Sequence, residues 1–384
     1  MNQQTKRIAI YISSMQGGGA QRAILKTAIG IAERGHQVDL VLAHAVGPYM
    51  AEVPANINVV DLQAYSVATS LPALVRYLRE QQPDAMLSAL NYVNIVALLA
   101  RRLAQVSTRM VISERNTVSI STKKFLRLRG RLFVPHLMKR FYPWADEIVA
   151  VSHGVQADLV QFLHMAPERV QVIYNPIITP ELQQKATAAL DHPWFRPGEP
   201  PVILAVGRLQ PQKDFPLLIE AFGRVRATRP ARLLILGEGP DHTALQQQVD
   251  AAGLTADVAL PGFDANPYAY MKQAAAFVLS SRWEGLPGVL IEALYCGTPL
   301  IATDCPSGPK EILANGAYGR LIPMREVTAM TAALQAALGG EIARPPADSW
   351  RPFELNTVVD KYLRLLVNPT RTQQSLEKVV GNYA

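Results

Sequence analysis

The sequence predicts an α/β protein built from two doubly wound domains. Three observations carry that expectation. Short apolar runs alternate with helical patterns, the alternation stops at a proline cluster and then restarts, and glycine turns follow several of the apolar runs. The chain of 384 residues also exceeds the size at which a single hydrophobic core usually stops growing.

Taken in order, Arg7 to Ser13 reads as a short buried strand. The glycine loop Gly17-Gly18-Gly19 follows it, then a helical pattern from Ala20 to Arg34 that Gly35 ends. Gln37 to Ala43, Ile57 to Asp61, Asp84 to Ala89, Arg109 to Ser113 and Asp146 to Ser152 are further apolar runs, with helix-like segments between most of them. Such alternation predicts a mostly parallel sheet with helices on both faces. Ligands of such sheets bind beyond the carboxyl ends of the strands, where the glycine loop would lie. Pro176, Pro180, Pro193, Pro197, Pro200 and Pro201 then crowd into one stretch and read as a linker. Beyond it Val202 to Val206, Arg232 to Leu236, Val258 to Leu260, Ala276 to Leu279 and Pro299 to Thr303 read as strands. Asp214 to Thr228 and His242 to Ala252 read as helices between them. The expected division is an N-terminal domain over 1–175, a linker over 176–200, a second domain over 201–355, and a C-terminal helical segment with a frayed tail over 356–384. That last helix, about Asn356 to Leu366, has two possible seats, one on each domain.

Composition narrows the classes. Hydrophobic residues make up 49% and charged residues 18%, and no repeat or low-complexity tract appears, as for a globular protein. No apolar run approaches the roughly 18 residues needed to span a bilayer, and Ile8 to Ile12 is too short for a signal peptide, so a cytoplasmic location is expected. Two cysteines, Cys296 and Cys305, cannot form a disulfide framework or a four-ligand zinc site and read as small core residues. Seven scattered histidines and the lack of an Asp-x-Asp pair leave a metal without a visible seat. The net charge of +7 is uneven: Arg101 to Arg140 holds eleven Lys or Arg against Glu114 alone, or +10, which leaves −3 for the rest.

The densest chemistry lies in Arg282 to Gly297, RWEGLPGVLIEALYCG. Gly285, Pro287 and Gly288 break regular structure, and Val289 to Tyr295 resumes a buried helical run that Gly297 closes. Glu284 therefore precedes a helix and Glu292 lies inside it, with outward-facing first-turn amides between them. That arrangement can hold an anion such as a nucleotide sugar. Simple capping explains two glutamates near a helix start equally simply. Against it, Glu292 interrupts an apolar run, where a carboxylate is costly without a partner, and vicinal ribose hydroxyls would be one.

Weaker signals surround this stretch. Val206-Gly207-Arg208-Leu209 ends the first strand of the second domain and Lys213 follows at a helix start, so two cations leave one strand end and can neutralise a diphosphate; two surface side chains is the plainer alternative. Gly237, Gly239 and Pro240, with Glu238 among them, and Pro261-Gly262-Phe263 end the next strands. Such turns either line a base pocket through backbone groups or hold no ligand. The N-terminal glycine loop places Arg22 where a dinucleotide fingerprint needs its third glycine, which disfavours NAD.

In order and spacing these residues resemble glycosyltransferase family 4. Glu284 and Glu292 are eight apart, the Glu-x7-Glu arrangement of retaining glycosyltransferases. GGGAQR at 17–22, VSHGVQADL at 151–159, VIYNP at 172–176, VGRLQPQKDFPLLIEAF at 206–222, LGEGPDHTAL at 236–245, LPGF at 260–263 and SGPKEIL at 307–313 extend the resemblance over nearly the whole chain. It implies the GT-B fold, in which two Rossmann-like domains face each other across a cleft. It also implies that Arg208 and Lys213 hold the donor diphosphate, Glu292 the ribose hydroxyls and Glu284 the hydroxyls of the transferred sugar. Arg208, Lys213 and Glu284 would be the catalytic set. Leu286, Pro287, Gly288 and Val289 would touch phosphates or sugar through backbone amides, Gly18 and Gly19 would approach from the other domain, and Gly207, Glu238, Gly262 and Phe263 would complete the donor side. The reaction implied proceeds on one face of the sugar, with the leaving phosphate helping to deprotonate the acceptor and no protein nucleophile, metal or cofactor required. One departure stands out: many relatives carry a histidine near the donor sugar in the first domain, where this chain reads Ile112-Ser113-Glu114-Arg115-Asn116. Arg115 or Asn116 would serve the donor or acceptor there, unless Glu114 and Arg115 are merely a structural pair.

Ser121 to Trp144 alternates cations with apolar residues at helical spacing, and Pro135 is expected to split it into two helices. Lys123, Lys124, Arg127 and Arg131 are its acceptor-side candidates, for an anionic membrane surface or the diphosphate of a lipid-linked sugar; the plainer alternative is an ordinary helix with a solvated basic face. No base-stacking platform or helix-turn-helix accompanies the charges, so no nucleic acid is expected. The expected function is transfer of a hexose or N-acetylhexosamine from a nucleotide sugar, UDP-linked, to a growing lipid-linked glycan, by a protein peripheral on the inner face of the cytoplasmic membrane. The alternatives are a sugar-nucleotide epimerase or phosphorylase of the same fold, and a non-catalytic nucleotide-binding scaffold.

Overall fold

The computed structural model describes residues 4–16, 18–119 and 134–367. The chain forms two compact units, Met1–Pro176 with Leu355–Ala384, and Ile177–Glu354.

The first unit contains seven strands: β1 (Arg7–Ile12), β2 (Gln37–Leu42), β3 (Ile57–Asp61), β4 (Ala85–Ala89), β5 (Arg109–Glu114), β6 (Glu147–Ala150) and β7 (Val170–Val172). They pair in the order β3-β2-β1-β4-β5-β6-β7 and every pairing is parallel. β7 has no counterpart in the sequence reading, because its three residues, VQV, show neither length nor alternation. Both faces of the sheet are covered, which is why its strands are near-continuous apolar runs. Ala9 and Tyr11 point into one cluster with Leu74, Val93 and Ala97 of the helices Leu71–Gln81 and Asn91–Ala104. Ile8, Ile10 and Ile12 point into the other with Ile24 and Ala28 of the helix Gly19–Ala32.

The C-terminal helix Leu355–Val367 seats on this second face. Val358, Val359, Tyr362 and Leu366 join the cluster of Ile8 and Ile10. Gly30 makes the seat possible: a Cβ there would lie 2.6 Å from Cγ2 of Val359, so the two helices meet where one has no side chain. Arg34 fixes the register from the rim, reaching Asp360 at 2.9 Å and Asn356.

In the second unit β8 (Val202–Val206), β9 (Arg232–Leu236), β10 (Val258–Gly262), β11 (Ala276–Leu279), β12 (Leu300–Thr303) and β13 (Arg320–Ile322) form a parallel sheet in the order β10-β9-β8-β11-β12-β13. Ile203, Ala205, Leu233, Ile235, Val278 and Ile301 pack with the helices Phe215–Arg226 and Val327–Leu338. β13 is again too short to be legible in the sequence. The stretch 177–200, expected as a linker, lies in the second unit. It carries the helix Pro180–Lys185, whose Leu182 is buried, and a 3-10 turn, Pro193–Phe195, whose Trp194 ring lies 4.9 Å from the Arg232 guanidinium. Its prolines start short helices, the position where a missing N–H costs nothing.

In both sheets the strand order reverses beside the first strand, between β1 and β4 and between β8 and β11. Such switch points open a crevice at the carboxyl ends of the strands. In the second unit that crevice falls between the segments that follow β8 and β11, which begin at Gly207 and Ser280.

Candidate active site

The turns after β8 and β9 are laced to each other through backbone. Gly207 N donates to Leu236 O at 2.9 Å, Leu209 N to Glu238 O at 2.8 Å, and Gly237 N to Gly262 O at 2.7 Å. Gly237 adopts φ 140°, and a Cβ there would sit 2.0 Å from Gly207 O, so a side chain would break the seam. Glu238 and Phe263 project from these turns into solvent, Phe263 being 73% exposed.

The segments after β8 and β11 are tied more tightly still. Arg282 N donates to Gln212 O at 2.8 Å, Ser280 Oγ to Lys213 O at 2.6 Å, and the Arg282 guanidinium pairs with buried Asp214, whose φ of 50° starts the helix Phe215–Arg226. These ties bring Lys213 Nζ to 2.7 Å from Glu284 Oε1, with the side chains only 13% and 9% exposed. Ser281 Oγ donates to the same oxygen at 2.6 Å, while among the described residues Oε2 receives only the 3.4 Å contact from Gln212. Glu284 is therefore gripped on one oxygen and presents the other.

Arg208 and Lys213, read together from the sequence as cations for a diphosphate, have different surroundings. Lys213 is spoken for by Glu284, whereas Arg208 is exposed and forms no ion pair with a described residue. Ser281 and Gln212 escaped the sequence reading: a serine ending a strand and a glutamine in a turn carry no spacing signal, and only the fold brings them to Glu284. The helix Gly288–Tyr295 begins at Pro287 without a side-chain cap, leaving Gly288 and Val289 at the position of open amides. Leu286 lies just before it, and Glu292 lies within it, partly buried. Ser307 Oγ holds this turn by donating to Gly285 O at 2.9 Å. Cys296 and Cys305 are buried, and burial pushes each thiol up to about 12.

In the first unit, Gly18 adopts φ 130° at the start of the helix Gly19–Ala32; Gly17 lies outside the described residues. At the carboxyl end of β5, Glu114 is fully buried, accepting from Tyr142 OH at 2.9 Å and from the Arg115 amide at 3.1 Å. Burial pushes its carboxyl up to about 7. Tyr142 is itself held by Asn94 Nδ2 at 3.2 Å, and Asn94 Oδ1 by Ser88 Oγ at 2.8 Å, so a polar chain runs inward from the strand end. Arg115 is 5% exposed and Asn116 is exposed beside it. The carboxylate of Glu114 and the guanidinium of Arg115 form no ion pair; Glu114 accepts from the Arg115 backbone amide and acts on the guanidinium through space, while that guanidinium bonds to Asn175. Lys123, Lys124, Arg127 and Arg131 lie outside the described residues. Among those described, no helix is long and apolar enough to cross a membrane, and no group of three His, Cys, Asp or Glu side chains is placed to hold a metal ion.

Two parallel Rossmann-like units, the second with a carboxylate, a lysine and an open helix start at its switch point, are the architecture of the GT-B class. The family model "Glycosyltransferase Family 4" matches residues 17–180 and "Glycosyl transferases group 1" matches 188–348. The chain is 30% identical over 349 residues to the N-acetylgalactosamine-N,N'-diacetylbacillosaminyl-diphospho-undecaprenol 4-alpha-N-acetylgalactosaminyltransferase of Campylobacter jejuni, covering 87% of this chain and 90% of that protein. Among solved structures, a lipopolysaccharide outer core galactosyltransferase, WaaB, aligns with a TM-score of 0.72 at 19% identity over 94% of this chain and 99% of its own. Anabaena HepE in complex with UDP-glucose aligns at 0.67 and 18%, over 96% and 100%. The chain belongs to glycosyltransferase family 4 and has the GT-B fold.

Proposed function

We propose that this glycosyltransferase works with retention of configuration, taking a hexose or N-acetylhexosamine from a UDP-sugar to a lipid-linked glycan. The observation that carries the reading is the Lys213–Glu284–Ser281 cluster, with Arg208, which forms no ion pair with a described residue, five residues before Lys213. Held on Oε1, Glu284 accepts sugar hydroxyls on Oε2, and because Lys213 neutralises it the carboxylate does not repel a neighbouring diphosphate. Arg208 is the free cation for that diphosphate, the Gly288 and Val289 amides add donors, and Glu292 takes the ribose hydroxyls. The bond between the anomeric carbon and the phosphate oxygen breaks, the acceptor oxygen bonds to that carbon on the same face, and the acceptor proton passes to the departing phosphate. No protein nucleophile, metal or further cofactor enters this scheme.

The UDP in the HepE complex and the undecaprenol-linked diphosphate in the Campylobacter enzyme's name support donor and acceptor class. Arg115 and Asn116 are the acceptor-side candidates of the first unit. The basic stretch with Lys123, Lys124, Arg127 and Arg131 suits an anionic membrane surface, which supports a peripheral position on the cytoplasmic side. Mass spectrometry of products from a panel of nucleotide sugars incubated with bacterial membrane lipid extract tests the whole reading. It should show one added hexose or N-acetylhexosamine on a lipid-linked species, with release of UDP. Free isomerised donor, or phosphate-dependent glycan cleavage, would favour an epimerase or phosphorylase. Equal rates on detergent-solubilised acceptor and in anionic vesicles would remove the membrane component.

A further inference from the structure

Arg115 is a buried cation that makes no ion pair with a described residue; the neighbouring Glu114 carboxylate acts on it only through space, and burial drives that carboxyl toward its neutral form. The guanidinium of Arg115 has no carboxylate within ion-pair distance among the described residues. Nη1 donates to Asn175 Oδ1 at 2.6 Å, Nη2 reaches Tyr362 OH at 3.4 Å, and Nε is buried without any partner. Two residues along the same turn, Thr117 Oγ1 is likewise buried without a partner. Burying a guanidinium costs several kcal/mol unless it is paired, and an orphaned donor adds to that. Among the described residues its direct contacts compensate little: Asn175 is a neutral acceptor, and the contact with Tyr362 is long for a hydrogen bond.

The unmet edge has a definite shape. Nε and Nη2 form the side of the guanidinium that grips two oxygens of a phosphoryl group or carboxylate in parallel. It lies at the carboxyl end of β5, on the ligand-binding edge of the sheet. An oxyanion taking that edge would exchange one long contact with Tyr362 for two charge-assisted bonds, and would neutralise the buried charge.

We propose that Arg115, with Thr117 as a second donor, forms an oxyanion subsite for a phosphoryl group, gated by Tyr362 of the C-terminal helix. This rests on the acceptor-side reading of the strand end and gives it a chemistry. The phosphoryl group is either that of a lipid-diphosphate acceptor or that of the nucleoside diphosphate. Without the oxyanion Nη2 faces the Tyr362 hydroxyl, which also lies 3.4 Å from Ser113 Oγ; binding displaces that hydroxyl.

Calorimetric titrations of the full chain, its Arg115→Met variant and its Tyr362→Phe variant test the subsite. One series uses inorganic pyrophosphate in the presence of saturating UDP, the other UDP alone. Arg115→Met should weaken one of the two by tenfold or more: pyrophosphate if the acceptor supplies the group, UDP if the donor does. Tyr362→Phe should tighten the same ligand several-fold, because the competing hydroxyl is gone. Arg115→Met should also melt at or above the wild-type temperature, since an apolar side chain replaces an uncompensated charge. Unchanged affinity for both ligands in Arg115→Met overturns the proposal, and a lowered melting temperature with both affinities intact makes Arg115 a structural residue. These are equilibrium readouts, so absence of glycosyl transfer would sink the functional reading while leaving the subsite standing on its own data.

Discussion

The two strand ends that carry buried charge solve the same problem in opposite ways. After β11, Glu284 meets Lys213 at 2.7 Å and Ser281 at 2.6 Å, so a carboxylate with little exposure is neutralised and oriented. After β5, Glu114 and Arg115 are adjacent in sequence and both buried, yet each bonds elsewhere, the acid to Tyr142 and backbone, the base to Asn175 and Tyr362. A satisfied pair is a finished instrument, ready to hold neutral hydroxyls. An unsatisfied one stores charge for something that arrives.

The largest effect should come from the finished pair. Glu284→Gln keeps the shape but loses the charge that strengthens bonds to sugar hydroxyls as positive charge develops at the anomeric carbon. Its transfer rate should fall by about 100-fold or more while nucleotide affinity changes only a few-fold. Steady-state kinetics beside UDP titration separates the two, and wild-type turnover would remove Glu284 from the sugar site.

Lys213→Met tests the comparison through stability. It strands Glu284 with Ser281 and a distant Gln212 amide, and breaking a largely buried pair on one side should cost about 3 kcal/mol in chemical denaturation. Arg115→Met, by contrast, should cost nothing. Similar losses in both variants would mean that the two strand ends are alike and that the contrast drawn between them is false.

The second unit's site was more legible than the first's for a physical reason. Glycine turns, the helix Gly288–Tyr295 and the eight-residue spacing of Glu284 and Glu292 are local features, fixed by backbone geometry within one segment. The helix over His242–Ala251 and the C-terminal helix Leu355–Val367 were legible in the same way, within a residue of their ends. What the sequence hid was non-local. Lys213 is 71 residues from Glu284, and their pairing depends on how the segments after β8 and β11 interlock. Tyr362 is 247 residues from Arg115, and nothing in an ordinary apolar helix face marks it as the neighbour of a guanidinium. Short β7 and β13 were missed because three residues cannot show a period, and the proline-rich stretch 177–200 looked like linker because proline marks helix starts as readily as loops.

The smallest effect concerns the acid at the unsatisfied strand end. Burial raises Glu114 from 4.5 to about 7, so the folded state holds its proton more tightly than the unfolded chain does. Its contribution to stability is full below about pH 4.5, declines as pH rises, and levels off above about 7, a change on the order of 3 kcal/mol. Glu114→Gln, neutral at every pH, lacks this slope, so the stability of the wild type relative to this variant should fall between pH 5 and pH 8. Tyr142 opposes burial by donating to the ionised carboxylate, and Tyr142→Phe should therefore push the Glu114 titration higher and carry the decline to more alkaline pH. Denaturation midpoints of the three proteins across that range decide the matter. A pH-independent difference between wild type and Glu114→Gln would mean that Glu114 is ionised throughout, and that its negative charge already compensates Arg115.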